Sequence, residues 1–234
     1  IRDAKGEWVF ILNNDTKLDK NCIKELYNAV KEKPKIGMVS PKMYFWDKSI
    51  DTLGLQLYKR GYTTDIKEFK KENKLLAPCG GGAFYSKKML DSIKILDGYD
   101  YFDSDYFIYA EDFDLGLRAQ LAGWKCIHAP SAKLAHLHGA TMNKFSSNQV
   151  FLGDRNRAWS IIKNYPSKVF WKYFHWFIIM NLFTLVKWVF KGKPLPIIKS
   201  KLSIIFGSGK ILKKRKYVQK IKKISDKEFM QLMV

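Results

Sequence analysis

Apolar positions along this 234-residue chain fall into short runs and helical stripes. Glu7 to Leu12 (EWVFIL) is nearly continuous apolar sequence, the pattern of a strand buried on both faces of a parallel sheet, and it stops at Asn13, Asn14, Asp15 and Thr16. From Asp19 to Glu32, Ile23, Leu26, Tyr27 and Val30 recur at i, i+3, i+4 and i+7, predicting an amphipathic helix that halts near Pro34. Ile36 to Val39 reads as a second strand. Strand, helix, strand predicts a βαβ unit and an α/β sheet, whose ligand sites lie at the carboxyl ends of strands, where Asn13 to Thr16 fall. Tyr44 to Lys74 is polar and turn-rich and is placed only as a hairpin or loop region. From Leu76, LLAPCGGGAFYSKKML reads as a strand interrupted by Gly80, Gly81 and Gly82 and followed by a short helix; glycines in a strand mark a bulge or a close approach of backbone to ligand. A helix from near Glu111 to Gly123 has acids in its first turn and glycine at its end. Two strands, WKCIH and KLAHLH, follow, then a helix with Val150, Phe151, Ala158, Ile161 and Ile162 on its apolar stripe, ending before Pro166.

Residues 168 to 190 are strongly aromatic and apolar, but Lys172, His175, Asn181 and Lys187 interrupt a stretch that would need ~20 apolar residues to cross a bilayer. A helix lying in a membrane interface, anchored by Trp171, Trp176 and Trp188, fits better. The last 40 residues alternate Ile, Leu and Phe with Lys, which suits an anionic surface. Charge sharpens the division: residues 1 to 150 hold 23 Lys+Arg against 19 Asp+Glu, residues 151 to 234 hold 19 against 3. The chain therefore divides into a domain over 1–165 and a basic, aromatic, membrane-associating helical tail over 166–234. Cys22, Cys79 and Cys126 lack paired spacing, so neither a disulfide framework nor a cysteine zinc site is expected, and a reducing, cytoplasmic setting follows. No basic-then-apolar leader follows Ile1.

Three groups of residues carry candidate chemistry. Asp15, flanked by Asn13, Asn14 and Thr16, offers oxygens to a hard cation or a diphosphate, or forms a turn. Glu111, Asp112 and Asp114 crowd three carboxyls into four residues, so one is expected to have a shifted pKa and act as a base; Asp114 and Arg118 are spaced to pair. His136 and His138 face one side of a strand and could complete a metal site with Asp15, or simply pack.

Taken in order, these segments resemble a family 2 glycosyltransferase of the rhamnosyltransferase-like branch with a GT-A fold. EDFDLGLRAQLAGWKCIHAP followed by AHLHGAT is similar to the family's ordered series of acids, Arg, Ala-Gly-Trp, Pro and His-x-x-Gly-x-Ser/Thr. FILNNDT resembles its aspartate-containing donor motif, and GGGAFYSKKML with LDGYDYFDSDYFIYAED the stretch leading to the base. The resemblance covers about residues 1 to 165 and lacks the family's first nucleotide-binding βα units, so the sheet is expected to be N-terminally incomplete. It implies inverting transfer of a sugar from a nucleoside diphosphate sugar to an acceptor hydroxyl of a glycan or lipid-linked glycan. Asp15 would hold a divalent metal, Mn2+ or Mg2+, against the diphosphate, with His136 and less directly His138 assisting. Asp112 would be the base and Glu111 would place the acceptor. Asn13, Asn14, Gly81 and Gly82 would border the donor, and Asp114 and Arg118 would support the base. Asn13-Asn14-Asp15 replaces the Asp-x-Asp of many relatives, removing one charge from the metal site.

The implied setting is the inner face of the cell membrane, with the tail on anionic lipid. Two rivals are a catalytically inactive membrane scaffold of the same fold and a nucleic-acid-binding protein. Against the latter stand 36 Lys to 6 Arg and the absence of any recognised nucleic-acid motif.

Overall fold

The computed structural model describes residues 1–95, 101–137 and 146–234. A mixed sheet carries helices on both faces. Its strands are β1 (Trp8–Leu12), β2 (Thr16–Leu18), β3 (Ile36–Tyr44), β4 (Ile50–Thr52), β7 (Gly82–Ser86) and β8 (Lys125–His136), in the order β1-β7-β3-β8-β2 with β4 against β3. Of these described strands only β3 and β8 pair in parallel; β7 runs antiparallel between β1 and β3, and β2 antiparallel to β8. The expected all-parallel burial of the first strand is therefore corrected: β1 pairs with β7 alone among the described residues and is only half-buried. WKCIH and KLAHLH are not two strands but one, β8, whose register against β3 shifts between Pro41 and Lys42. The strand expected from Leu76 begins only at Gly82. The unassigned stretch after Tyr44 holds β4 and a small hairpin of β5 (Leu55–Leu57) and β6 (Thr63–Asp65).

Helix α1 (Cys22–Val30) seals one face, burying Cys22, Leu26 and Val30 against Val39, Phe84 and Ala132. The opposite face packs against α2 (Lys87–Ser92), capped by the Ser86 side chain, and α3 (Glu111–Leu121). Alternation along β7 explains the division: Phe84 joins the first cluster, Ala83 and Tyr85 the second. Then come α4 (Ser147–Asn164), α5 (Ser167–Lys172), α6 (Phe174–Phe190), α7 (Pro194–Phe206), α8 (Ser208–Lys220) and α9 (Asp226–Met230).

The segment after residue 165 is no detachable tail. Val169, Val218, Phe229 and Met233 lie in the same apolar cluster as Met38, Leu57 and Leu76, and Val234 N–H donates to the Leu57 carbonyl at 2.9 Å. Apolar residues alternating with lysine do mark its helices, but the buried stripe faces the main core. Asp154 of α4 accepts from Thr184 of α6 (2.8 Å) and from Ser200 and Lys201 of α7 (2.7 and 2.6 Å). The expected single interface helix is broken at Tyr173 into α5 and α6. No residue of α6 is fully buried, and none of the described helices is long and apolar enough to cross a membrane.

Candidate active site

The link from β1 to β2 joins the two edges of the sheet at the carboxyl end of β1. Asn13 N–H donates to the Gly81 carbonyl at 3.2 Å, and Leu137 N–H to the Asp15 carbonyl at 3.0 Å, so the link is bonded to the start of β7 and the end of β8. Thr16 Oγ1 closes the turn on the Asn13 carbonyl at 2.7 Å. This geometry brings Asp15 and His136 together across 121 positions of sequence: Oδ1 lies 3.1 Å from Nε2, with Asn13 Nδ2 3.3 Å from the same nitrogen. Asn14 is exposed. His138 lies outside the described residues.

On its other side the His136 ring reaches Asp51 Oδ2 at 3.4 Å, and this contact pushes the imidazole pKa up against the opposing effect of burial. Asp51 is fully buried on β4 and carried no signal in the sequence. Gly81 is required here by close packing: a Cβ would fall 2.8 Å from His136 Cε1 and 2.9 Å from Met43 Cε, and at Gly82 it would meet Leu134 at 2.7 Å. The room both glycines leave is filled by protein side chains.

Gly80 instead meets the acids. Its N–H donates to Asp112 Oδ2 at 2.9 Å, while Oδ1 accepts from Phe113 N–H at 2.7 Å. Glu111 faces a cavity of about 420 Å³ lined also by Asn13, Gly80, Tyr85, Phe102 and Phe107. Its Oε2 is buried with no hydrogen-bond partner among the described residues, and the same holds for Tyr85 Oη on the cavity wall. Burial and the neighbouring Asp112 charge push Glu111 up to about 7, and burial raises Asp112 as well.

Asp114 is shifted the other way, because Lys163 and Arg118 outweigh its burial. Arg118 Nε reaches Asp114 Oδ2 at 3.0 Å, and its other nitrogens cap the carbonyls of Ile93 and Tyr101 at 2.6 and 2.9 Å. The expected pair exists, wholly buried beneath the site. Lys163 of α4 bridges Asp114, at 2.8 Å, to Asp103, which also binds Lys214 of α8.

The segment entering α3 is strained. Phe107 has φ 62° and ψ −61°, and Ile108 N–H donates to the Tyr106 carbonyl at 2.7 Å, a γ-turn of the rare hand. Tyr109 and Ala110 also have positive φ, at 71° and 61°. Each such residue costs of order 1–3 kcal/mol and persists only where surroundings hold it. The holder is Asn156, buried on α4, whose Nδ2 reaches the carbonyls of Tyr106, Ile108 and Tyr109 at 3.0, 2.9 and 2.9 Å.

Among the described residues no three His, Cys, Asp or Glu side chains form a ready metal cage. Asp15 nonetheless suits a hard cation: its Oδ1 lies 3.1 Å from His136 Nε2, so a carboxylate oxygen and an imidazole nitrogen are presented side by side. Cations such as Mg2+ need only one or two carboxylates where phosphate and water supply the other ligands.

Comparison with known proteins adds three findings. A family model described as glycosyl transferase family group 2 matches residues 8–197. Two N-acetylglucosaminyl-diphospho-decaprenol L-rhamnosyltransferases of Mycobacterium tuberculosis, from strains CDC 1551 and H37Rv, are each 27% identical over 177 residues, covering 65% of this chain. The match takes in 57% of those relatives' length, so the chain spans little more than half of them. A mannosyltransferase of Pyrobaculum calidifontis, solved in complex with GDP-Man and Mn2+, superposes at a TM-score of 0.40 with 15% identity, covering 99% of this chain and 62% of that one.

Proposed function

Because the chain belongs to glycosyl transferase family group 2, we propose that it moves a sugar from a nucleoside diphosphate sugar to an acceptor hydroxyl, inverting the anomeric centre. The observation that carries this reading is a single cavity with two kinds of wall: Asn13, which touches His136, on one side and the Glu111 carboxyl beside Asp112 on the other. A sugar hydroxyl attacks well only if a carboxylate takes its proton as the new C–O bond forms. Asp112 is assigned that role, with both oxygens oriented by backbone N–H groups and lone pairs to spare. Glu111, whose carboxyl lies beside the cavity with Oε2 buried and unpartnered among the described residues, is assigned the placing of the acceptor. As the bond from the anomeric carbon to the diphosphate breaks, the Asn13 amide is assigned as an N–H donor to a phosphate oxygen. A divalent cation bound by Asp15 and His136, Mn2+ or Mg2+, would neutralise the charge of the departing diphosphate.

The expected test result is Mn2+-dependent thermal stabilisation by one nucleoside diphosphate from a panel. A ligand at 100 times its dissociation constant adds about 2.7 kcal/mol, a rise of roughly 5–10 °C for a domain of this size. Asp15→Ala is expected to abolish the metal-dependent part. Absence of any shift across the panel, with or without metal, overturns the reading.

The acceptor is inferred to be lipid-linked, as in the name of the mycobacterial relatives, with the chain held peripherally at the inner membrane face. Helices α6 and α7 support this: Leu182, Phe183 and Phe190 on the one and Leu202, Ile205 and Phe206 on the other are exposed, beside Lys187, Lys191 and Lys199. Exposed apolar surface rimmed by lysine fits anionic lipid. Cutting the chain after Pro166 would also empty the core of Val218 and Phe229, so point substitutions are the cleaner probe. Phe183→Asp with Phe206→Asp is expected to lower flotation with phosphatidylglycerol vesicles at least tenfold while leaving the thermal midpoint within ~2 °C. Undiminished flotation would rule this face out.

A further inference from the structure

We propose that a groove between the β5–β6 turn, α4 and α6 binds the phosphate head of a single anionic lipid, whose chains run out over the apolar face of α6. The inference rests on the membrane-docking reading and deepens it, since docking needs only a diffuse surface rimmed by lysine and assigns no lipid site.

The groove is built by a turn fixed on two helices. Tyr58 and Tyr62 stack across the base of the hairpin with ring centroids 4.6 Å apart, and Tyr58 N–H donates to the Tyr62 carbonyl at 3.0 Å. Arg157 of α4 pins the turn, its Nη1 donating to the Gly61 carbonyl at 3.2 Å. Arg60 is thereby carried against α6, its guanidinium carbon 4.7 Å from the centroid of the Trp176 ring. The space enclosed is about 510 Å³.

Its lining is one-sided in charge. Arg60, Arg157 and Lys187 contribute to it, and no acid does among the described residues. Arg60 and Lys187 are exposed, and Lys187 lies over the Phe183 ring at 6.0 Å from the centroid. The acid behind the groove, Asp154, stands 3.6 Å from Arg157 but also 2.6 Å from Lys201, so one carboxylate faces two cations. Arg157 is itself enclosed and adds its field rather than a contact. Like charges gathered around a concavity with apolar walls focus a potential that draws the opposite charge. Those walls include Ile179 and Phe183, 46% and 55% exposed, which run on into Leu182 and Val186 of the bare α6 face. Inorganic phosphate would use the cations and leave this wall wet. A nucleobase would need an open aromatic face, and Arg60 covers that of Trp176. A lipid phosphate uses both halves of the groove.

The test is calorimetric titration of the full chain with dihexanoyl phosphatidic acid, a short-chain lipid kept below its micelle concentration, in roughly 0.15 M salt to screen distant charges. Arg60→Gln with Lys187→Gln is expected to weaken binding about 10- to 30-fold. Lys191→Gln with Lys199→Gln removes the same charge outside the groove and should stay within twofold. All four side chains leave the core untouched, so thermal midpoints should hold; if Arg60→Gln disturbs Trp176, Lys187→Gln alone should still cost about 5-fold. Equal weakening by the two pairs overturns the groove and leaves diffuse docking in place. Inorganic phosphate binding as tightly as the lipid also overturns it, since the site would then serve the free anion. A wild type that floats with phosphatidylglycerol vesicles but ignores the short-chain lipid sinks the groove alone. Short-chain binding lost with Arg60 and Lys187, in a chain that floats with no vesicle, sinks the docking face and leaves the groove standing.

Discussion

Asp112→Asn is expected to lower kcat by 10²- to 10⁴-fold, the usual worth of a positioned base, while nucleoside diphosphates still stabilise the protein. Asparagine keeps the side-chain shape and can still accept from Gly80 N–H at its oxygen, so proton acceptance is removed together with the one hydrogen bond from Phe113 N–H, which the amide NH2 cannot accept. Glu111→Gln should act differently, raising the acceptor KM more than it lowers kcat, because that carboxyl faces the cavity with an unpaired oxygen. The adjacent carboxyls titrate as a pair, and burial with the Asp112 charge lifts Glu111 to about 7. Glu111 thus loses its proton with the Asp112 charge already in place, so the acceptor KM of the wild type is expected to change as pH passes through about 7. Loss of the larger factor in Glu111→Gln, with Asp112→Asn nearly intact, would move the base to Glu111.

Lys163→Met is expected to destabilise the protein by about 3–5 kcal/mol, the cost of leaving buried charges without their partner. Lys163 binds both Asp103 and Asp114, all three side chains being buried, and methionine fills the volume without the ammonium. Urea denaturation measures the loss, and a change under about 1 kcal/mol would show that the network carries no stability. Lys210→Ala, removing a mostly exposed partner of Asp105, should change it by less than about 1 kcal/mol. Acid has a related effect. Burial alone would raise Asp103, yet the Lys163 and Lys214 ammoniums hold it down to about 2. A carboxyl lowered on folding stabilises above its unfolded value near 3.9 and loses that contribution as pH falls through its folded value. About 2 kcal/mol should therefore disappear between roughly pH 4 and 2, and less of it in Lys163→Met.

What could be read from sequence was whatever repeats locally. The stripe Leu26, Val30 announced α1, and the acids ahead of Gly123 announced α3. Asp114 and Arg118 pair because one helical turn separates them. The meeting of Asp15 with His136 was legible through ordered motifs alone, since no local pattern links residues so far apart. Asp51 was hidden in a stretch of three-residue strands too short for periodicity, and it reaches the site through a histidine 85 positions away. Gly80 could not be told from Gly81 and Gly82, because what separates them is which side chain stands opposite. Asn156 sits on a helix where Asn is an indifferent residue, and its worth lies in three carbonyls of a distant turn. Lysine-rich amphipathicity in the last helices looked like a surface signal, yet Lys214 is buried in an ion pair, which composition does not reveal.

The closure of the core by Phe229 and Met233 sets the order of events in synthesis. Leu57 and Leu76 emerge well before Phe229 and Met233, the residues that cover them. At ~5–20 residues per second, roughly 10–35 s separate Leu57 from Met233 on the ribosome. Through that interval part of the main apolar cluster stays open to solvent, and the nascent chain can only hover near its native shape. Contacts spanning so much sequence are also the slow ones to form. Closure of this cluster thus waits on α9, and yield in a cell will depend on what shields Leu57 and Leu76 until that helix emerges.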